Sequence, residues 1–401
     1  MAAQQQMSPA QLNAIARSLI KAQAVEMTQQ VYNQTFTSPL NTSNLSNSQP
    51  VITVAPRNVG LITKFIVKLT ANIHNGSAVA INLTDLGPAN LLSLVTFTDL
   101  QNNIRIQTPL WHLMLINSIK SRRPFGMSFL KTADDSPMNF GNNLASETSA
   151  PATIAAGADG TLVFWFEVPL AYNHDDLRGS VYANTLQATM QLGFTVNSTP
   201  IAANGTDSTS AVYVGAAAGS VASVAISNMT VGVYQVYLDQ LPTDPRSRSV
   251  ILPVTDLATI YELKQTTLSA MVAGQDFPYQ YPNFRSIIST ILGYVNTGAT
   301  GARGNGTDIN YFALQSANFT NIWKKEPALV GLQNRQALQF DLPPGFYYFS
   351  SRDRNISTTQ YGNMELVNNP VVAAAGAYQL TAIEDFAFMN TISAAGSLQA
   401  N

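Results

Sequence analysis

The chain has 401 residues, of which 46% are hydrophobic and only 11% are charged, and its formal net charge is -2. This length and apolar content are enough for one large domain or two ordinary domains. The low net charge argues against a protein that coats nucleic acid, because such proteins need many cationic contacts with phosphate. The chain contains no cysteine, which excludes disulfides, thiolate metal sites and cysteine nucleophiles.

The first predicted element is an amphipathic helix over residues 8–30, SPAQLNAIARSLIKAQAVEMTQQ. Ser8 is a suitable N-cap, Pro9 fits the first helical position, and Gln11 completes a capping box with Ser8. Such a helix either docks on the core of its own domain or contacts a surface outside it. The apolar face consists of Leu12, Ile15, Ala16, Leu19, Ile20 and Met27, and the opposite face carries Arg17 and Lys21.

Strand patterns begin after a polar arm rich in Asn and Ser at residues 35–49. From residue 51 onward, short runs of β-branched and aromatic residues recur with turn signals between them, which is typical of a β-sandwich or barrel. Two helices interrupt the strands, at 108–121 and at 323–338, and each is introduced near a proline. The same order of elements in both halves indicates two similar β domains.

A boundary between the two halves is predicted at residues 241–249, LPTDPRSRS. This stretch has two prolines and a Ser/Arg cluster, and no apolar residue follows its first leucine. The predicted division is an N-terminal helix and flexible arm in 1–50, a first β domain in 51–240, a second β domain in 241–390 and a C-terminal tail in 391–401.

The sequence offers no convincing catalytic, cofactor or metal site. The histidines are far apart and follow no metal-spacing motif, and His112 is predicted to be a packed or hydrogen-bonded residue of its helix. NHDD at 173–176 fits a loop or helix cap better than a hydrolase site. The glycine-rich stretch at 297–308 lacks the ending of a phosphate-binding loop. Two NGTD turns contain Asp207 and Asp308, but a calcium site needs about six or more oxygens.

Six motifs follow one another in the stretch that runs from about Val59 to Asn363, the first beginning at Asn58 and the last ending at Phe319. They are NVGLITKFIVKLTANI, LTDLGPANL, APATIAAGADGTL, VPLAYNHDDLRG, YQVYLDQLP and GTDINYFALQSANF. Together they resemble the major capsid protein of the tectiviruses, which are tailless icosahedral bacteriophages with a membrane beneath the protein shell. Motifs in the same order over most of the chain are more specific than any single motif.

This resemblance implies an all-β fold with two eight-stranded jelly-roll β-barrels in tandem, each with a short internal helix, after the N-terminal amphipathic helix. It implies a structural capsid protein, not an enzyme, that forms a homotrimer of pseudo-hexagonal outline and tiles an icosahedral shell over an internal membrane. The implied partners are neighbouring capsomers, the membrane surface, and minor capsid and vertex proteins, without direct contact to nucleic acid. No cofactor is implied.

The implied location is the virion capsid, after synthesis in the host bacterial cytoplasm. The N-terminal segment supports this expectation, because charged residues interrupt the apolar core that a signal peptide would need. A cationic amphipathic helix suits an anionic membrane surface or a groove between neighbouring subunits. The predicted contact residues are Leu12, Ile15, Arg17, Leu19, Ile20 and Lys21.

Two other functions would each require features that can be sought in the sequence. A β-sandwich glycosidase would need two carboxylates across a cleft, and no pair stands out among the 23 acidic residues. A β-sandwich adhesin or glycan-binding module would use exposed aromatic side chains. The candidates for that role are Tyr279, Tyr281, Tyr347 and Tyr348.

Overall fold

The computed structural model of the chain describes residues 8–36, 40–41, 51–84, 86–121, 150–183, 188–202, 211–216, 221, 223–268, 271–296, 302–303, 307–317, 319–343, 345–351, 356–358, 362–371 and 378–388. Its helices are α1 (Pro9–Gln23), α2 (Leu110–Ser121), α3 (Val254–Leu257) and α4 (Pro327–Leu338), with a 3₁₀ turn at Gly87–Leu91.

Strands make up most of both halves. Those of the first half are β1 (Val25–Phe36), β2 (Leu40–Asn41), β3 (Val51–Val54), β4 (Leu61–Asn75), β5 (Ile81–Leu83), β6 (Leu92–Thr98), β7 (Ile104–Thr108), β8 (Thr153–Ile154), β9 (Asp159–Pro169), β10 (Val181–Tyr182), β11 (Gln191–Val196), β12 (Ile201–Ala202), β13 (Tyr213–Gly215) and β14 (Val224–Asp239). Those of the second half are β15 (Thr259–Leu268), β16 (Phe277–Gln280), β17 (Arg285–Asn296), β18 (Ala302–Arg303), β19 (Ile309–Ser316), β20 (Phe319–Lys325), β21 (Phe346–Ser350), β22 (Ile356–Ser357), β23 (Met364–Pro370) and β24 (Tyr378–Phe388).

The described strands form four sheets. One has the order β1-β14-β4-β10, with β2 on β14 and β9 on β4, and a small sheet has the order β12-β13-β5-β8. The largest sheet runs β18-β17-β24-β15-β7-β6-β11-β3, and the last runs β16-β23-β19-β20. β4 and β9 alternate buried with less buried residues along most of their length, as expected for strands with one face on a core. This architecture confirms the predicted all-β class.

The two halves share a sheet and a core. β7 of the first half pairs in parallel with β15 of the second, with Leu263 opposite Ile106. α2 is buried at this junction, where Trp111 packs against Phe346 of β21 with ring centroids 5.1 Å apart. Other pairings between the described strands stay within one half, and the domain bounds given by the sequence remain a prediction.

The two internal helices are confirmed, although the second is shorter than predicted. α4 begins at Pro327, because the preceding residues Trp323 to Lys325 belong to β20 and pair with β19. The capping box of α1 is also confirmed. The backbone N–H of Gln11 donates to the Ser8 hydroxyl at 3.3 Å, and the Ser8 N–H donates to Gln11 Oε1 at 2.8 Å.

The predicted extent of the N-terminal helix was wrong at its C-terminal end. α1 stops at Gln23, Ala24 is extended, and β1 follows immediately, so Met27 lies in a strand. The antiparallel pairing of β1 with β14, from Val25 opposite Asp239 to Phe36 opposite Met229, provides the tertiary contacts that override helix propensity. The predicted flexible arm at 35–49 therefore begins as strand, and its remainder beyond β2 lies outside the described residues.

Candidate functional site at the N-terminal helix

α1 rests on a small apolar cluster built by both halves of the chain. Ala16 and Ile20 are each 2% exposed, and Ile20 packs with Leu61 of β4 and with Leu177. Partly buried side chains from the crossover and from α3 complete the cluster. The helix therefore bridges the two halves at the point where the chain passes from one to the other.

Asp256 of α3 is the buried acceptor for α1. Its side chain is 1% exposed and accepts hydrogen bonds from the Arg17 guanidinium and from Asn13 Nδ2, the latter at 2.9 Å. The Thr255 backbone N–H donates to Asn13 Oδ1 at 3.2 Å. The hydrogen bond to Asp256 raises the pKa of Arg17. A buried carboxylate needs a nearby cation, so α1 supplies the charge that Asp256 requires.

Two acids of the first half hold the same helix. Lys21 forms an ion pair with the exposed Asp175, and the Lys21 hydrogen bond lowers the pKa of Asp175. Asp176 lies 3.6 Å from Arg17 and accepts two hydrogen bonds from Arg178 Nε at 2.9 Å. Burial pushes the pKa of Asp176 upward, but these two guanidinium groups outweigh burial and leave it below its ordinary value. We call Asp175, Asp176 and Asp256 the acidic socket.

The turn that carries two of these acids has a fixed shape. Asn173 Oδ1 accepts the backbone N–H groups of Asp175 at 2.9 Å and Asp176 at 2.7 Å, which confirms the loop interpretation of NHDD. Gly179 closes the turn with φ of +89°, and a Cβ there would lie 2.4 Å from the carbonyl oxygen of Leu170. Only glycine fits this position without strain.

The six residues predicted to contact a membrane or a neighbour divide into two groups. Arg17, Ile20 and Lys21 contact their own chain, through the socket and the apolar cluster. Leu12 is 49% exposed and Ile15 is 44% exposed, while Leu19 is half-buried. The helix is thus rotated so that part of its apolar face, rather than all of it, meets the body of the protein.

A cavity of about 770 Å³ lies beside α1. Its wall includes Ile20, Lys21 and side chains on the outer face of the first sheet, where Lys64 of β4 and Glu167 of β9 form an ion pair at 2.7 Å. Trp165 of β9 also lines the cavity. Two ion pairs lie on its wall, Lys21 with Asp175 and Lys64 with Glu167, and the Arg17 and Lys120 cations that also line it pair with the buried acids Asp256 and Glu384. These groups serve as ion-pair partners, which does not favour an active site here.

The other sequence candidates provide no site for chemistry. His112 is buried, its Nδ1 lies 2.7 Å from the Thr108 hydroxyl, and burial lowers its pKa to about 3. The described residues contain no group of three or more metal-ligating side chains, and no helix among them is long and apolar enough to cross a bilayer. Asp207 and most of the loop at 297–308 lie outside the described residues.

The aromatic side chains that an adhesin would expose are in the interior. Tyr279, Tyr281, Tyr347 and Tyr348 are each at most 8% exposed. Three of them belong to the core of the second half, and Tyr348 belongs to the core shared by the two halves. These tyrosines therefore form no glycan-binding surface.

Comparison with known proteins identifies the family. Residues 2–241 match the model for the P3 major capsid protein N-terminal domain, and residues 258–400 match the model for the C-terminal domain. The chain belongs to the P3 major capsid protein family. It is 38% identical to the major capsid protein P3 of Enterobacteria phage PRD1 over 412 residues, covering 99% of each chain. The resemblance inferred from the six motifs is confirmed.

Solved structures support the same fold at much lower sequence identity. The crystal structure of the STIV MCP matches with a TM-score of 0.61 and 12% identity, covering 91% of this chain and 97% of that one. The PBCV-1 virus capsid matches with a TM-score of 0.54 and 10% identity, covering 90% of this chain and 93% of that one. The predicted tandem jelly rolls are confirmed, and membership of the P3 family makes this a structural capsid protein that self-associates, not an enzyme.

Proposed function

We propose that this capsid protein forms a homotrimeric capsomer of pseudo-hexagonal outline and that these capsomers tile an icosahedral shell over an internal membrane. Membership of the P3 family carries this proposal. The low fraction of charged residues supports it, since charges are depleted at the centres of protein interfaces. Minor capsid and vertex proteins complete the proposed set of partners, and the chain is made in the cytoplasm of a bacterial host.

Sedimentation velocity over a range of protein concentrations tests the trimer. Obligate interfaces commonly bury more than roughly 2,000 Å², so the trimer is expected to persist on dilution. A stable monomer at low concentration, with no larger species at higher concentration, would contradict this part of the proposal. Electron microscopy of particles from infected cells tests the shell and the membrane beneath it.

We further propose that α1 contributes to contact with the membrane or with a neighbouring capsomer through its exposed edge. Leu12 and Ile15 support this proposal, because they lie on the amphipathic helix and are about half exposed. The two cations predicted for this role already neutralise acids of the socket, so each can add at most about 1 kcal/mol of attraction to anionic lipid. The contact is therefore weak for one copy and effective over many.

Flotation with vesicles that contain anionic phospholipid distinguishes contact with a membrane from contact with a neighbouring capsomer. The variant Leu12→Asn/Ile15→Asn is compared with Leu329→Asn/Leu332→Asn, which removes similarly exposed leucines from α4. Loss of flotation in the first variant alone supports membrane contact. Normal flotation of both variants, with impaired particle assembly in the first alone, assigns the edge to a neighbouring capsomer. Normal flotation and assembly of the first variant would refute both roles.

A further inference from the structure

β1 is an unusual edge strand. It is 12 residues long, or about 40 Å, and none of its residues is buried. It pairs with β14 along one edge, and no strand among the described residues pairs with the other. In an antiparallel pair roughly half of the backbone N–H and C=O groups of an edge strand point away from its partner. β1 therefore offers a long row of backbone groups for pairing.

The sequence of β1 lacks the features that protect other edges. Natural proteins block edge pairing with short strands, charged side chains, proline or bulges. β9, at the opposite side of the same sheet, carries Asp159, Glu167 and Pro169. β1 has one charged residue, Glu26, no proline, and one register irregularity between Gln30 and Tyr32. Among the residues that the structure describes, only Glu26 and this irregularity oppose the addition of a strand to β1.

We infer that the free edge of β1 adds a strand from a second copy of this chain, so that β1 forms part of the contact between subunits. The charge pattern favours this partner. β1 carries no cation, which disfavours nucleic acid and anionic lipid. Its neutral amide and hydroxyl side chains suit the equally neutral surface of another copy, and the family self-associates. The amide and hydroxyl side chains of β1 are those of Thr28, Gln29, Gln30, Tyr32, Asn33, Gln34 and Thr35.

Amide hydrogen exchange tests this inference, which rests on the proposed assembly into trimers. The peptide covering β1 is followed in the full-length oligomer and in the chain dissociated under mild conditions. We expect nearly all β1 amides to be protected in the oligomer, and the half that faces away from β14 to exchange at least about tenfold faster after dissociation. Equal exchange of these amides in both states would overturn the inference while leaving the trimer intact. A chain that never forms an oligomer would overturn both.

A matched pair of substitutions gives a second test. Gln30→Lys places a charge on the exposed strand, and Gln336→Lys places the same charge on an exposed position of α4. We expect the first to weaken oligomer formation at least about tenfold, because a charge at a paired edge must be desolvated. The second is expected to leave assembly unchanged. Thermal unfolding of the dissociated chain checks that both variants fold. Equal oligomer formation by the two folded variants would overturn the inference.

Discussion

Asp385 is expected to make the unfolding free energy of this capsid protein depend on pH. It lies on β24 directly opposite Glu262 of β15, is 4% exposed, and its Oδ1 has no hydrogen-bond partner. Burial and the neighbouring Glu262 carboxylate raise the pKa of Asp385 to about 7. Arg285 and Lys264 lower this pKa, but not enough to restore an ordinary value.

The raised pKa of Asp385 determines how the unfolding free energy changes with pH. A carboxyl group with a raised folded-state pKa stabilises the fold at low pH, and this contribution is lost as pH rises from about 4 to about 7. The difference between the ordinary pKa of aspartate and this raised value corresponds to about 4 kcal/mol of unfolding free energy. Asp385→Asn keeps a neutral side chain of similar size and removes the titration. The variant is therefore expected to gain stability relative to the natural chain as pH increases.

Urea unfolding at fixed protein concentration measures this difference at pH 4, 6 and 8. The free-energy difference between Asp385→Asn and the natural chain should change by about 4 kcal/mol across this range. Glu326→Gln provides the control, since Glu326 is an exposed carboxylate at the start of α4. Parallel stability curves for Asp385→Asn and the natural chain would refute the reasoning.

Three further predictions concern α1 and its socket. Arg17→Ala should lower the unfolding free energy measured in urea by about 2–3 kcal/mol, because it leaves the Asp256 carboxylate buried without its cation. Adding Asp256→Asn should recover part of this loss. Additive effects of the two substitutions in the double-mutant cycle would contradict the pairing. Ile20→Ala should lower the unfolding free energy of the dissociated chain by about 2–4 kcal/mol, because Ile20 is buried, whereas Ile15→Ala should lower it by less than about 1 kcal/mol. Equal decreases in the thermal unfolding of the two variants would contradict this difference in burial. Gly179→Ala should reduce the yield of soluble, folded protein, because the new Cβ strains the backbone and clashes with the Leu170 carbonyl oxygen. A normal yield and a normal melting temperature would contradict this expectation.

Much of the fold was predictable because local signals and burial agree. Alternating apolar residues mark the strands, and prolines mark the starts of α2 and α4. The capping box at Ser8 marks the start of α1. The end of α1 was not predictable in this way, because residues 24–30 are compatible with helix until β14 pairs with them. The parallel junction of β7 with β15 also has no local signal, since it joins segments far apart in the chain.

The ion pairs between α1 and the acidic socket were also only partly predictable from the sequence. The sequence identified Arg17 and Lys21 as the cations of the helix and Asp175 and Asp176 as loop residues, but gave no reason to pair them. Asp256 was missed, although a lone acid between apolar residues in LPVTDLATIY is a signal for a buried ion pair. The pairing explains why the apolar face of the helix is turned partly toward solvent. Leaving a buried carboxylate without a cation costs more free energy than leaving a leucine side chain exposed to solvent.

The position of the socket also sets an order of events during synthesis. Asn13 and its acceptor Asp256 are 243 residues apart, and β1 must wait for β14 before it can pair. At a translation rate of about 5–20 residues per second, the N-terminal helix spends roughly 10–50 s outside the ribosome before its socket exists. The first element to be made therefore docks only after the whole of the first half and the crossover have been synthesised. A chain released before the crossover lacks Asp256, so its N-terminal helix cannot dock as it does in the full-length protein.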